Sequence, residues 1–148
     1  MSRTFNSIGA LATFLEGVAH SLPQAQQAAL DDATTFLLQK VKEIPGNYQS
    51  DPAWPALAEA TVEDRTRKGF TPDDPLRRTG EFAETFQKHV DGPTRAEVGS
   101  NDERAAWFEL GTSRMPPRPV LGAAKAQHDP HLVEIVGRRI QQHIGGRD

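Results

Sequence analysis

The chain has 148 residues, of which 36% are hydrophobic and 25% are charged, and its net charge is −3. This length is typical of one domain, and the charge excludes the globally basic composition of many nucleic-acid-binding domains. The absence of cysteine excludes disulfides and thiolate metal sites and fits an intracellular origin. No apolar run is long enough to cross a bilayer, and residues 1–6 lack the apolar stretch of a signal peptide. We therefore expect a protein that is made in the cytoplasm and makes no membrane contact.

Two helices are predicted at the start of the chain, over residues 7–20 and residues 23–43. The break between them is expected at Pro23, because proline suits a first helical turn and the serine and glutamine around it resemble a capping box. The first helix should pack on a neighbouring element through an apolar face. The residues of that face recur at helical spacing and are Ile8, Leu11, Leu15 and Val18.

Residues 45–80 are predicted to form a loop, a helix and a second loop. The helix should begin near Pro55, which suits a first turn, and end at Gly69. Its last turn carries three cations, Arg65, Arg67 and Lys68. Cations there complement the helix dipole, and the alternative interpretation of the cluster is a phosphate-binding patch.

A β-hairpin is predicted next, with a first strand over residues 83–90 and a returning strand over residues 94–99. Asp91 and Gly92 favour a two-residue turn between them, although the apolar spacing of the first strand also fits a helix. A short helix over residues 102–109 should follow and bring two aromatic residues into the core. The predicted core anchors are Trp54, Phe86, Trp107 and Phe108.

The least ordinary stretch of the sequence is residues 107–122, WFELGTSRMPPRPVLG, with three prolines in four positions. Proline fixes φ and donates no backbone hydrogen bond, so neither a helix nor a central strand is expected there. We predict a stiff, extended segment, here called the proline arm (residues 111–119). Such a segment loses little entropy on docking. It could bind a partner, or it could be a rigid connector that crosses the surface of its own domain.

The chain is predicted to close with a short strand at Val120 and Leu121 and a helix over residues 129–144. The order of helices, small antiparallel sheet and closing helix predicts an α+β fold. We expect a single domain over residues 1–148. Its parts are a helical start (1–44), a loop–helix–loop (45–80), the hairpin and proline arm (81–122) and the closing helix (129–144).

No arrangement of residues predicts catalysis, a cofactor or a metal. His128 and His131 are the only close histidine pair, and with Asp129 and Glu134 they are more typical of a solvated helix start than of a metal site. Glu81 and Glu84 show no sign of the cleft and shifted pKa that acid–base chemistry needs. A P-loop, a dinucleotide-binding turn and a nucleophile elbow are all absent from the sequence.

Four segments in a fixed order carry a resemblance to a known family. They are LRRTGEF (76–82), VGSN (98–101), AAWFELGT (105–112) and PRPVLG (117–122). This order resembles the small neck and tail-completion proteins of long-tailed bacteriophages and prophages. In that family an R-T-G-x-L turn, a V-G-S/T-N strand end, a Y-A-x-x-x-E-x-G-T segment and an R-P-F-L run follow one another. The segment WPALAEAT (54–61) resembles the W-x-x-L-x-x-x-T segment of the Mu-like virion-morphogenesis branch. This chain departs from the pattern at Phe82, Trp107 and Val120, where one apolar residue replaces another.

The resemblance implies a virion structural protein, a ring-forming subunit that joins head and tail or completes the tail. The implied fold is a small β-sheet with flanking helices. The implied partners are further copies of the chain and neighbouring connector and tail proteins, with DNA passing through the bore without tight binding. The implied location is the neck or tail of the virion.

A ring needs a head-to-tail contact that closes, and the stiff, charged arm and the turn at residues 77 and 78 are the predicted contact sites. The predicted contact residues are Arg77, Arg78, Gly111, Thr112, Arg114, Arg118 and Pro119. An alternative for Arg118 and Pro119 is that they hold the arm against its own domain. The alternative function is a nucleic-acid-binding accessory domain. Its phosphate patch would consist of Arg65, Arg67, Lys68, Arg77 and Arg78.

Overall fold

The computed structural model describes residues 3–146, which form an α+β protein with five helices and one two-stranded antiparallel sheet. The predicted fold class is therefore confirmed. The elements are α1 (Ile8–Glu43), α2 (Glu59–Arg67), α3 (Glu81–Glu84), β1 (Phe86–Asp91), β2 (Arg95–Ser100), α4 (Glu103–Leu110) and α5 (Leu121–Gly145). Met1, Ser2, Arg147 and Asp148, at the ends of the predicted domain, lie outside the described residues.

The residues group into two compact units. Unit 1 contains the described residues up to Thr34, His89–Glu97 and the described residues from Pro130 onward. Unit 2 contains Thr35–Lys88 and Val98–Asp129. The single domain over residues 1–148 remains a prediction.

Helix α1 is one continuous helix of 36 residues, so the prediction of two helices separated at Pro23 is wrong. The Ser21 hydroxyl does not cap a new helix; it donates back to the Gly17 carbonyl at 3.0 Å. Proline inside a helix costs about 3 kcal/mol. Tertiary burial offsets that cost, because Ala25 and Ala29, two and six residues after the proline, are 7% and 0% exposed.

Helix α5 begins at Leu121 and passes through Pro130, so it starts eight residues before the predicted closing helix at 129. The predicted third strand at Val120 and Leu121 is therefore wrong, and the sheet has only β1 and β2 among the described residues. The early start has two causes. A carboxylate from α4 caps the first turn of α5, as shown below, and Ala123 and Ala124 are both 0% exposed.

The remaining boundaries differ from the predictions by a few residues. Helix α2 starts at Glu59 instead of Pro55, and the short helix α3 takes the place of the first residues of the predicted first strand. The hairpin turn has three residues, Gly92 to Thr94, instead of two. Gly69, with φ of 76°, follows α2 as expected. The predicted helix over 102–109 is confirmed to within one residue, with Asp102 accepting a hydrogen bond from the Arg104 amide at 2.9 Å.

The hydrophobic core of unit 2 is built around Phe82 and Phe86. The two rings lie 5.2 Å apart, and Phe82 also makes an edge-to-face contact with Phe108 at 4.9 Å. Trp54 and Phe86 are 7% and 1% exposed, which confirms both as core residues, and Phe108 packs against the same cluster. Trp107 is 48% exposed, so its assignment to the core is wrong. Neighbouring residues on a helix point about 100° apart, and Phe108 takes the inward direction.

Unit 1 contains a contact between α1 and the last turns of α5. The Ser21 hydroxyl and His143 Nε2 lie 2.8 Å apart, and Arg139 pairs with Asp32 at 3.5 Å. Alanines at positions 25, 29 and 33 are nearly inaccessible in this unit, as close helix packing requires. The face predicted to pack near the start of α1 is instead exposed among the described residues. Its accessible residues are Ile8 (87%), Leu11 (37%) and Leu15 (53%).

We predict that Phe86→Ala lowers the free energy of unfolding by about 3–5 kcal/mol, because it leaves a cavity in the unit 2 core. Trp107→Ala removes a larger ring that is half exposed, and we expect a loss of about 1 kcal/mol or less. Urea denaturation followed by circular dichroism measures both. Equal losses for the two variants would contradict the assignment of Phe86 to the core and Trp107 to the surface.

Candidate partner interface

The proline arm begins with a tight turn at residues 112–115, here called the arm turn. The Thr112 amide donates to the Met115 carbonyl at 2.8 Å, and the Met115 amide donates back to the Thr112 carbonyl at 3.3 Å. Residues 112–115 are therefore folded back, and the prediction of an extended arm is wrong for them. Residues 116–119 belong to no helix or strand, as the three prolines predict.

Gly111 is required at the start of the arm. Its φ is 76°, and a Cβ atom there would lie 2.9 Å from Pro117 Cδ and 3.1 Å from the Met115 carbonyl oxygen. Any other residue would be strained by its backbone and would push the prolines away. The glycine thus fixes the direction in which the arm leaves α4.

Arg118 fastens the arm to its own unit. Its Nε and Nη2 atoms donate to the Pro55 carbonyl at 3.1 and 2.9 Å, and Nη2 also donates to the Ala56 carbonyl at 2.8 Å. The Arg118 amide donates to the Phe108 carbonyl at 2.7 Å. The residue is 4% exposed, and burial lowers the pKa of its guanidinium. Arg118 therefore does not present its charge to a partner in this conformation, and it matches the alternative in which the arm is held against its own domain.

Glu109 fastens the residues that directly follow the arm. One carboxylate oxygen accepts from the amides of Val120 and Leu121 at 2.9 and 3.0 Å, and the other accepts from the Gly122 amide at 2.6 Å. These are the first amides of α5, which lack partners inside the helix and sit at its positive end. Gly122 leaves room for the carboxylate, because a Cβ atom there would lie 2.9 Å from Glu109 Oε1.

The surface around the arm turn is exposed and partly apolar. Thr112 and Arg114 are exposed, and Gly111 and Pro119 are half-buried. On the adjoining helix α4, Trp107 and Leu110 are 48% and 79% exposed. We call Trp107, Leu110, Thr112 and Arg114 the arm surface. It combines a tryptophan, a leucine and an arginine on a segment that Arg118 and Glu109 hold in place.

The second predicted contact site is the arginine turn at Arg77 and Arg78. It follows Leu76, which is 9% exposed and has a φ of 61°, a left-handed conformation that is uncommon for leucine. Arg77 is exposed and lies against Gly46, where a Cβ atom would come within 2.8 Å of Arg77 Cδ. The Arg78 guanidinium lies over the Phe70 ring, 4.6 Å from its centroid.

Two grooves on the surface of unit 2 are lined in part by the predicted contact residues. One, of about 210 Å³, is lined in part by Arg78, and the other, of about 400 Å³, is lined in part by Arg114. The two grooves share the walls Arg65, Leu76 and Phe108. The arginine turn and the arm turn thus border neighbouring grooves.

Most cations of the predicted phosphate patch make contacts within unit 2. Arg65 is 9% exposed and donates to the Asp74 carbonyl at 2.5 Å. Three other cations share the Asp64 carboxylate, with Arg67 at 2.6 Å, Lys68 at 3.0 Å and Arg78 at 3.7 Å. The hydrogen bonds from Lys68 and Arg67 lower the pKa of the Asp64 carboxyl. Arg65 is therefore a structural residue, and the other charges are partly neutralised.

The candidate catalytic and metal-binding residues either lie apart or contact another side chain. Glu84 forms an ion pair with Lys42 at 2.7 Å, the His128 ring packs edge-on against Phe36, and His131 Nδ1 lies 3.2 Å from Glu134. Within residues 3–146, no three histidine, aspartate or glutamate side chains are grouped as metal ligands. Over the same residues, no helix has the length and apolarity that a membrane span needs.

Sequence reasoning missed two parts of the interface. Trp107 and Leu110 are exposed apolar residues three positions apart on α4, which also carries inward-facing Phe108. Helical periodicity could therefore have placed the pair on the outside. The capping role of Glu109 had no local signal, because its partners lie 11 to 13 residues further along the chain.

Comparison of the chain with protein-family models, with curated proteins and with solved structures gave no match.

We predict that Arg118→Ala lowers the free energy of unfolding by about 2–4 kcal/mol, because the Pro55 and Ala56 carbonyls lose their donors and a cavity remains. Arg114→Ala is the matched control, four positions away on the same arm, and should change stability by about 0.5 kcal/mol or less because its side chain is exposed. Chemical denaturation of both variants measures the difference. A loss for Arg118→Ala no larger than that of the control would show that the guanidinium does not hold the arm.

We further predict that Glu109→Gln costs about 1–3 kcal/mol, because the amide group has a single acceptor oxygen and turns a donor toward the first amides of α5. Glu63→Gln on α2, which is exposed, removes the same charge elsewhere. Thermal unfolding of the two variants separates the effect of losing the helix cap from the effect of changing the net charge. If both variants melt at the same temperature, the carboxylate does not stabilise the start of α5.

Proposed function

We propose that this chain is a structural subunit of a bacteriophage virion, located at the neck or the end of the tail. It would form a ring that joins head and tail or completes the tail. The observation that carries the proposal is the arm surface. An exposed tryptophan, leucine and arginine lie on α4 and the arm turn, and the segment that follows the turn is held by Arg118 and Glu109.

The composition of the arm surface supports a contact with another protein. Tryptophan and arginine are enriched among the residues that contribute most to protein–protein affinity. A segment already held in one conformation has little left to lose in entropy when it docks. The sequence order of the arginine turn, the hairpin end and the proline arm, which resembles phage neck and tail-completion proteins, supports the same proposal.

The proposed partners are further copies of the chain and the connector and tail proteins on either side of the ring. DNA would pass through the bore, where tight binding would hinder its movement. The net charge of −3 supports weak DNA affinity, and any binding should fall steeply with salt.

The alternative is a nucleic-acid-binding accessory domain that uses the exposed cations Arg67, Lys68, Arg77 and Arg78. Its supporting observation is that Arg67, Lys68 and Arg78 share the single carboxylate of Asp64, which leaves excess positive charge at the end of α2. The two proposals place the functional contact on different residues of the same unit. A pair of charge reversals therefore separates them.

We predict that Arg114→Glu reduces binding of the purified chain to heads or tails of the phage or prophage that encodes it, because it reverses the one charge of the arm surface. Arg67→Glu, a reversal at another exposed arginine outside the arm surface, should leave that binding unchanged. Cosedimentation with isolated particles measures binding. Light scattering and negative-stain imaging of the same preparations show whether a ring has formed.

The same two variants test the alternative when DNA replaces the particles. Loss of DNA retention with Arg67→Glu, together with no binding of the unaltered chain to heads or tails, would refute the virion proposal. Tight DNA binding at physiological salt would also contradict it.

A further inference from the structure

The smaller of the two grooves in unit 2, of about 210 Å³, is lined by an unusual set of side chains. Three of the lining residues are arginines, one is a threonine, and the others are glycine, leucine and phenylalanine, so none of them is acidic. We call it the arginine groove, and its polar lining residues are Arg65, Arg78, Thr79 and Arg104. Like charges that share a small groove repel one another, and a bound anion relieves that repulsion.

Arg104 is held at the groove by two contacts. Its Nε and Nη2 atoms donate to the Asp102 carboxylate at 3.0 and 2.6 Å. Its guanidinium carbon lies 5.6 Å from the centre of the Phe82 ring, which is itself a wall of the groove. Its Nη1 atom donates to no residue that the structure describes. An arginine carries five N–H donors, so Arg104 keeps free donors on a side chain whose orientation is already fixed.

Arg65 is the buried cation of the groove. It is 9% exposed, and its Nη1 atom donates to the carbonyls of Asp74 and Arg77 at 2.5 and 3.2 Å. These partners are neutral, so within residues 3–146 the Arg65 charge has no carboxylate paired with it. The two contacts fix the side chain and leave its positive charge uncompensated beside the groove.

Arg78 is the most weakly held of the three arginines. Its guanidinium lies over the Phe70 ring, 4.6 Å from the centroid, and its side chain is about half exposed. The Asp64 carboxylate is 3.7 Å away, which is beyond hydrogen-bond distance. Asp64 is also bonded more closely by Arg67 and Lys68, at 2.6 and 3.0 Å. The Arg78 guanidinium therefore has no hydrogen-bond acceptor in the described part of the chain.

The carboxylates near the groove do not cancel its charge. The lining residues carry three positive charges and no negative one. Asp64 and Asp102 lie outside the lining, and each already bonds cations. The hydrogen bonds to Asp102 and, to a smaller extent, the charge of the exposed Glu81 raise the pKa of the Arg104 guanidinium. The groove thus keeps an excess of positive charge.

A phosphate group matches this lining better than a carboxylate does. At neutral pH it carries a charge of about −1.5 to −2 and offers three acceptor oxygens, so several guanidinium groups can bond one ligand. A carboxylate has one charge and two oxygens, and it would leave most of the positive charge unmatched. The groove is also smaller than the roughly 300–1,000 Å³ of sites that enclose drug-sized molecules. It therefore suits one small group and not a whole nucleotide.

We propose that the arginine groove binds a phosphate group, either free or as part of a nucleic-acid backbone. Arg104 and Arg78 donate hydrogen bonds to the phosphate oxygens, Arg65 supplies a fixed positive charge, and Thr79 supplies a hydroxyl group. Of the exposed cations that the alternative function uses, only Arg78 belongs to this site. The inference goes beyond the proposed virion role and does not rest on it.

Isothermal titration of the purified chain with sodium phosphate, in sodium chloride at constant ionic strength, measures the binding. We expect saturable binding at one site. Arg104→Gln and Arg78→Gln should each weaken it by about tenfold or more, because each removes a charge-assisted hydrogen bond. Arg78 donates no hydrogen bond to any described residue, so Arg78→Gln remains informative even if Arg104→Gln lowers stability.

Arg67→Gln is the matched control. It removes one positive charge from an arginine that also pairs with Asp64 but does not line the groove. Because an exposed charge outside the site is screened by salt, the control should change phosphate affinity by about twofold or less. Equal losses for Arg67→Gln and Arg104→Gln would indicate diffuse attraction and overturn the inference. So would the absence of saturable phosphate binding, or acetate binding as tight as that of phosphate.

Competition with a short thymidine oligonucleotide that lacks terminal phosphates identifies the source of the phosphate group. Displacement of inorganic phosphate by the oligonucleotide would show that the groove takes backbone phosphates. Phosphate binding that the oligonucleotide does not displace would show that the groove takes a free phosphate. Either result supports the site. Because the titration uses the chain alone, a failure to bind heads or tails would remove the virion role and leave this inference in place.

Discussion

The buried Arg118 guanidinium determines much of the structure of unit 2. An arginine carries its donors in a fixed planar fork, and here the fork is directed at the carbonyls of Pro55 and Ala56. Those carbonyls then face the arginine instead of entering a helix, and α2 begins only at Glu59. The same residue holds the arm that leads into α5. The buried Arg118 thus explains both why α2 starts late and why the proline arm leads into α5 in a fixed position.

Glu109 completes this arrangement from the opposite side of the arm. Its carboxylate bonds the first amides of α5, so the helix can begin directly after the last arm residues. The arm turn, with Gly111 at its entry and the contacts of Arg118 and Glu109 after it, exposes Thr112 and Arg114 to solvent. The buried and the exposed charges of the arm therefore have separate roles. Arg118 and Glu109 hold the arm in place, and Arg114 is exposed to solvent.

The sequence was informative wherever the signal was local. The Asp102 cap and the inward burial of Phe86 each follow from a few neighbouring residues, and the structure contains both. The helix starts predicted at residues 23 and 129 are wrong for a common reason. Proline suits a first helical turn, but burial of alanines on both helices outweighs the loss of one backbone hydrogen bond.

The candidate site was only partly predictable, because some of its contacts join residues that are far apart in the sequence. Proline content located the arm, and residue type pointed to Arg114 and Thr112 as possible contacts. The burial of Arg118 could not be predicted, because its carbonyl partners are 62 and 63 residues away in the sequence. Trp107 was misassigned because hydrophobicity alone was used for two adjacent aromatics on one helix. Helical periodicity allows only one of such a pair to face the core.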